Sequence, residues 1–407
     1  MVDSNMFILS DFISSCVTKR PRSMFETDVE ANRAALTRKI RGKTILVIGG
    51  AGSIGSSFIK AVLPFKPASL VVVDTNENAL AELTRDLRST KGMYVPDDFV
   101  PYPMDFASPV FRKMFVKRGG FDIVGNFSAH KHVRSEKDIY SIEALLQNNV
   151  LHAKLLLDLL TEFPPEEYFC VSTDKAANPV NIMGASKRIR EDVIFSYSDK
   201  FPVKTARFAN VAFSNGSLPA GFLARIRKMQ PLSAPSDVRR YFVSPEESGQ
   251  ICMLACMLGE NRAIFFPKLA EAQMMTFDAI ATELLHAHGY EVLECGSDAE
   301  AIDAAENLKS GSNQYPVHYS KSDTSGEKPF EEFVTDTESA DMERFSSLGV
   351  ITGKAIPDRK RIRELFDRLN GVFCKAETSK EEVIGIMKDY LPNFEHIETG
   401  RSLDSKM

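Results

Sequence analysis

The chain has 407 residues, 43% of them hydrophobic and 26% charged, enough for a large core and a smaller appended lobe. Its formal net charge of −5 gives no electrostatic basis for nucleic acid as the main partner. No apolar run approaches the roughly 20 residues a membrane-spanning helix needs. The start, MVDSNMFILSDFISSC, lacks the basic residues of a secretory leader, so a soluble cytoplasmic protein is expected.

Residues 1–40 read as a helical extension, with charge spread throughout FETDVEANRAALTRKIRGK. KTILVIGG (43–50) reads as a buried strand, followed by a glycine turn and a helix starting near Ser53; SLVVVD (69–74) is the next strand. Two apolar, β-branched runs joined by a helix make a βαβ unit. FVPYPMD (99–105), FDIVGNFS (121–128), YFCVST (168–173) and VKTARFANV (203–211) continue the series, separated by helical patterns that include 142–163 and 186–200. This alternation predicts an α/β fold with a doubly wound parallel sheet over 41–212. From 213 to 375 the rhythm breaks into loops and short helices, which predicts a smaller C-terminal lobe with some return to the sheet. Residues 376–407 read as a helix and a tail.

GGAGSIG (49–55) fits GxxGxxG through Gly49, Gly52 and Gly55, or GxGxxG through Gly50, Gly52 and Gly55. Either way, small residues let the backbone approach a pyrophosphate at the positive end of the following helix. A strand before, a helix after and Asp74 closing the next strand predict a Rossmann-type dinucleotide site. A carboxylate at Asp74 would accept from the adenosine ribose hydroxyls and repel a 2′-phosphate, and TNENAL after it has no Lys or Arg. Both features favour NAD over NADP. Asp105 either meets the adenine ring or is an exposed aspartate at a strand end. The six cysteines, at 16, 170, 252, 256, 295 and 374, complete no zinc pattern and are expected to be reduced core residues. His130 and His132 in HKH have no third ligand nearby, so no metal is expected.

VSTDKAANPVNIMGASK (171–187) follows a strand, so it lies at the carboxyl edge of the sheet, where open α/β sheets bind ligands. Met183 and Lys187, four residues apart at a helix start, share a face. With the glycine turn, this segment resembles the extended short-chain dehydrogenase/reductase superfamily, whose pattern is Ser/Thr…Tyr-x-x-x-Lys. Within it the chain resembles the CapD/FlaA-type polysaccharide biosynthesis branch of nucleotide-sugar 4,6-dehydratases. The resemblance covers about residues 42–335, with KHV (131–133), NV (149–150), RFANV (207–211), GSLP (216–219), RRYF (239–242) and GEKPFEE (326–332) in the family's order. It departs at ANVAFSNGS, where the family usually reads GNVLGS, and at Thr324-Ser325 in place of arginine and proline. Met183 stands where the family's tyrosine would be.

The resemblance implies redox-neutral dehydration of UDP-N-acetylglucosamine by tightly bound NAD: oxidation at C4 of the sugar, removal of the C5 proton, loss of the C6 hydroxyl and return of hydride to C6. It implies Lys175 as the C5 base, Asp174 as the acid for the leaving hydroxyl, and Lys187 as the holder of the nicotinamide ribose. A lysine must have its pKa of about 10.4 lowered before it can act as a base. Met183 cannot take the C4 hydroxyl proton, which leaves Thr173, a water or Lys175. Implied cofactor contacts are Gly49, Gly52, Ser53, Ile54, Gly55, Asp74, Asp105, Ser128 and Lys187. Implied substrate contacts are Lys131, His132, Asn210, Ser217 and Leu218, with Glu327 on the uridine ribose. Arg207 and Arg240 would clamp the diphosphate, since guanidinium forks suit phosphate oxygens; surface ion pairing is the alternative. A homo-oligomer pairing through the 142–163 and 186–200 helices is also implied. Two other readings remain open: a 4-epimerase on the same fold, which needs no C5 base, and a non-catalytic NAD-binding regulatory protein, suggested by Met183.

Overall fold

In the computed structural model, which describes residues 7–322 and 330–398, the apolar runs of the sequence form one nine-stranded sheet. Its strands are β1 (Thr44–Ile48), β2 (Ser69–Asp74), β3 (Asp98–Pro103), β4 (Ile123–Asn126), β5 (Glu167–Val171), β6 (Val203–Ala206), β7 (Ile264–Pro267), β8 (Ala340–Asp341) and β9 (Leu348–Ile351). The order across the sheet is β8-β9-β7-β6-β5-β4-β1-β2-β3. From β3 to β7 every pairing is parallel, with Ile48 opposite Val73 on one side and opposite Asn126 on the other. The edge formed by β8 and β9 is antiparallel to its neighbours, and it is the C-terminal half of the chain returning to the sheet. β1, β2 and β5 are buried almost end to end because helices cover both faces, which is why they read as unbroken apolar runs. Strand order reverses at β1, which pairs with β2 on one side and β4 on the other, and ligand crevices open at such switch points.

Four elements differ from the sequence reading, among them the helix expected over 186–200, which runs Ile182–Phe195. The strand expected over 203–211 stops at Ala206; Asn210–Val211 pairs instead with Phe242–Val243. The strand expected over 121–128 stops at Asn126, whose side-chain oxygen accepts from the Ser128 amide and hydroxyl and turns the chain. The helix expected over 142–163 is Ile139–Leu146 and His152–Glu162, joined by a π turn at Gln147–Leu151. Two helices matter for the site. α1 (Ser53–Val62) follows the glycine turn, and α2 (Ile182–Phe195) carries Met183 and Lys187.

The sheet core continues into Phe25, Val29, Leu36 and Ile40 near the start of the chain, and into Ile362, Leu365, Val383 and Met387 near its end. A second core, built from Phe222, Leu232, Phe242, Ile280, Leu284, Tyr315 and Val317, also contains Phe12, Ile13 and Val17. The N-terminal segment therefore contributes to both cores. Where it crosses between them, Arg20 donates to Glu247 at 2.7 and 2.6 Å and to the Phe242 carbonyl at 3.0 Å. Among the described residues, no helix is long and apolar enough to cross a membrane.

Candidate active site

The glycine turn is shaped by two close approaches. Gly49 has φ +71°, and a Cβ there would lie 2.6 Å from the Ser128 nitrogen; one at Gly55 would lie 2.3 Å from the Gly49 carbonyl oxygen. Gly52 is the N-cap of α1 and provides no capping side chain, so the first N–H groups of that helix are left for an anion. Asp74, at the end of β2, accepts from the Ala51 amide at 3.1 Å and the Asn76 amide at 3.0 Å, which holds its carboxylate beside the turn. The Ser53 hydroxyl accepts from the Asn215 amide at 2.9 Å and links the start of α1 to a loop of the second core. An uncapped helix start, closely packed glycines and an adjacent carboxylate fit a dinucleotide. Asp105 follows β3 directly beside Asp74, whose carbonyl accepts from the Met104 amide at 3.0 Å; its exposed side chain accepts from the Ala107 amide at 2.8 Å.

A cleft of about 730 Å³ lies between the carboxyl edge of the sheet and the second core. The sheet side contributes Thr173, Lys175, Met183 and Lys187, and α1 contributes Ile54. Lys131 and His132 come from the segment after β4, and Asn210, Ser217 and Leu218 from the opposite wall. Side-chain bonds fix the sheet side. Asn181 caps α2 by accepting from the Gly184 amide at 2.7 Å, and Glu136 accepts from the Met183 amide at 2.9 Å. Asn149, in the π turn, donates to the His130 carbonyl at 2.9 Å and the Ser186 hydroxyl at 3.0 Å, which fastens the segment after β4 to α2. Lys131 donates to the Asn215 carbonyl at 2.7 Å. Although its side chain is exposed to the open cleft, the cleft walls desolvate its ammonium and lower its pKa.

Lys175 lies between two buried carboxylates, with its Nζ 3.1 Å from Asp174 and 3.8 Å from Glu331. Asp174 also accepts from the Thr173 hydroxyl at 2.8 Å and the Lys175 amide at 2.9 Å. It does not line the cleft; it sits behind Thr173 and Lys175, which do. Any proton it supplies must therefore pass through one of those neighbours. The sequence reading missed Glu331, because nothing in GEKPFEE distinguishes it from Glu332, which accepts from Asn178.

Lys187 is 4% exposed and donates to the Val171 carbonyl at 3.3 Å. Burial, followed by the charge of Arg190, pulls its pKa down to about 7, against weaker opposing effects of Cys170 and Glu191. Met183, one helical turn earlier, offers the cleft only a thioether.

Two expected diphosphate contacts lie elsewhere. Arg207 is fully buried, with hydrogen bonds to Glu191 at 2.9 and 2.7 Å and to Glu338 at 2.6 and 2.9 Å. Glu191 also accepts from the Ser172 hydroxyl at 2.6 Å, so Arg207 braces the sheet edge and does not reach the cleft. Arg240 is likewise buried and off the cleft wall, donating to the Arg239 carbonyl at 2.9 Å. Glu327 and Thr324-Ser325 lie outside the described residues. Among the described residues, no group of three or more His, Cys, Asp or Glu is placed to hold a metal ion.

A doubly wound sheet, a glycine turn at its switch point and a lysine on the following cleft wall define an extended short-chain dehydrogenase/reductase. The chain belongs to the polysaccharide biosynthesis protein family, whose model matches residues 45–352. It is 29% identical to the capsular polysaccharide biosynthesis protein CapD of Staphylococcus aureus over 69% of its own length, and it spans only 46% of that relative. It is 26% identical to a UDP-N-acetylglucosamine 4,6-dehydratase (inverting) of Campylobacter jejuni, over 60% of this chain and 73% of that one. The solved structure of Pen from Bacillus thuringiensis shares the fold, with a TM-score of 0.62 at 18% identity over 81% of this chain and 98% of that one. At this distance the chain is related both to sugar-nucleotide dehydratases and to UDP-glucose 4-epimerases.

Proposed function

We propose that the chain is an NAD-dependent UDP-N-acetylglucosamine 4,6-dehydratase that forms a UDP-4-keto-6-deoxy-N-acetylhexosamine. The observation that carries this reading is the Asp174-Lys175-Glu331 group, which places a lysine on the cleft wall with a carboxylate behind it. A 4-epimerase needs chemistry only at C4 and has no use for such a pair. A dinucleotide held by its pyrophosphate at the glycine turn and by its nicotinamide ribose at Lys187 would supply a hydride acceptor that is regenerated in each turnover.

At 3.1 Å, transfer of one proton from the Lys175 Nζ to Asp174 creates a neutral base and a protonated acid in a single move. Lys175 then takes the C5 proton. The proton on Asp174 reaches the C6 hydroxyl through Thr173, which contacts Asp174 at 2.8 Å and also lines the cleft. With Arg207 engaged elsewhere, cations on the cleft walls that would meet the diphosphate include, among the described residues, Lys131 on one side and Arg225 and Lys321 on the other.

Incubation with UDP-N-acetylglucosamine, followed by NMR, is the direct test. A 4-keto-6-deoxy product is expected; recovery of only the galacto isomer would mean the protein is an epimerase. The cofactor preference has its own test. Asp74→Ser is expected to weaken NAD binding by about 10- to 100-fold, the range for losing hydrogen bonds to a charged group, while NADP binding should strengthen as repulsion of its 2′-phosphate is relieved. Fluorescence titration of both cofactors measures this. An unchanged NAD affinity would remove Asp74 from the ribose.

A further inference from the structure

We propose that Lys187 is itself the acceptor of the C4 hydroxyl proton, and that the buried Arg190, three residues further along the same helix, is a positioning residue that tunes it. The inference rests on the reading that a sugar hydroxyl is oxidised at C4, but not on the later fate of the ketone.

Met183 occupies the position from which a phenol would work, and a thioether has no proton chemistry. Of the other groups on the sheet side of the cleft, Thr173 is hydrogen-bonded to Asp174 and Lys175 is paired with two carboxylates. Lys187 differs: it lines the cleft, and among the described residues its Nζ makes one side-chain hydrogen bond, a long one of 3.3 Å to the Val171 carbonyl.

Arg190 lies three residues further along α2 and is 1% exposed. Its Nη1 donates to the Ser128 carbonyl at 2.7 Å, while Nε and Nη2 have no hydrogen-bond partner among the described residues. A buried cation without a carboxylate partner is costly. Beside it, burial pushes the Tyr168 hydroxyl well above its ordinary pKa, so that hydroxyl carries no negative charge to pair with Arg190. Its field acts on Lys187 instead. The ionisable groups facing Lys187 are Arg190 and Glu191 on its own helix and Cys170 on β5; burial and then Arg190 prevail and bring its pKa to about 7.

In the step, the C4–H bond breaks with its electron pair going to the nicotinamide. The O–H bond breaks with its proton going to the lone pair on the Lys187 Nζ, leaving a C4 carbonyl and an ammonium. The product keeps that carbonyl, so the proton is not returned to C4. Lys187 releases it to solvent, from which Asp174 recovers the proton lost with the C6 hydroxyl as water.

Two readouts test the inference. In cofactor-free protein, competitive acetylation by acetic anhydride across a pH series, followed by mass spectrometry, gives the titration midpoint of Lys187 without turnover. A midpoint near 7 is expected, against about 10.4 for a free lysine, and Arg190→Met should move it upward because a like charge has been removed. A wild-type midpoint above about 8 would overturn the proposal, whatever the enzyme makes. The second readout is substrate-dependent reduction of bound cofactor at 340 nm. It should rise through pH 7 and level off, since the neutral amine is the active form, and Arg190→Met should shift that profile to higher pH. Lys187→Arg keeps a cation for the ribose but accepts no proton, and should slow reduction by about 10²- to 10⁴-fold with cofactor affinity retained. Reduction within a few-fold of wild type would leave Lys187 only a holding role. Absence of a 4-keto-6-deoxy product from the wild-type protein would instead sink the dehydratase reading, while the acetylation midpoint still decides the state of Lys187.

Discussion

Lys175→Met is expected to lower the rate of 4-keto-6-deoxy product formation by about 10²- to 10⁴-fold, the usual cost of removing a general base. Methionine keeps most of the side-chain volume and removes the titrating amine. If Lys175 is the C5 base, substrate-dependent reduction of the bound cofactor should persist in the variant, because oxidation at C4 precedes the missing step. Incorporation of deuterium at C5 in D₂O should disappear. The variant also leaves Asp174 and Glu331 buried without the cation that lies 3.1 and 3.8 Å from them, so thermal unfolding must accompany the kinetics. Product formation at the wild-type rate, with C5 exchange intact, would place the base elsewhere.

Arg207→Met is the second large effect, and it separates bracing from binding. It removes the cation shared by Glu191 and Glu338, whose side chains are 1% and 3% exposed, leaving them, as cations among the described residues, only Arg188 at 3.8 Å and Lys354 at 2.5 Å respectively. Breaking a buried ion pair by removing one partner typically costs about 3–5 kcal/mol, measurable by urea or thermal unfolding. UDP-sugar affinity of the protein that remains folded should be unchanged, whereas a diphosphate clamp would lose affinity without a comparable loss of stability. The pH dependence has a defined sign. Burial alone would raise the Glu338 pKa, but hydrogen bonds and charge from Arg207 hold it down to about 2, against an ordinary value of 4.5. A depressed folded-state pKa stabilises the fold above the ordinary value, and that contribution is lost as pH falls from 4.5 towards about 2. The variant should show a weaker dependence over that window.

What was legible in the sequence was local. β1 and β2 were found as apolar runs because parallel strands covered on both faces bury every residue, and the glycine turn stands out beside them. The start of α2 was read too late, although Asn181 carries the cap signal in the sequence. The π turn at Gln147–Leu151 leaves the apolar periodicity intact on either side, so it gives no sign until Asn149 is seen bonding to Ser186. Arg207 illustrates the wider limit. Its partner Glu338 lies 131 residues away, and no spacing rule separates an arginine destined for a carboxylate from one destined for a phosphate. Glu331 and Arg190 escaped notice for the same reason: their roles depend on what the fold brings near them.

The opening segment of the chain sets how the cleft can move. Phe12, Ile13 and Val17 are packed into one half, and Phe25, Val29 and Leu36 into the other, with Arg20 locked to Glu247 between them. Any separation of the two cores would pull the apolar side chains of this short, doubly anchored crosspiece into water. Under the proposed function, a sugar nucleotide would then enter by local displacement of a cleft-side loop such as the one carrying Asn215, which rests on Ser53.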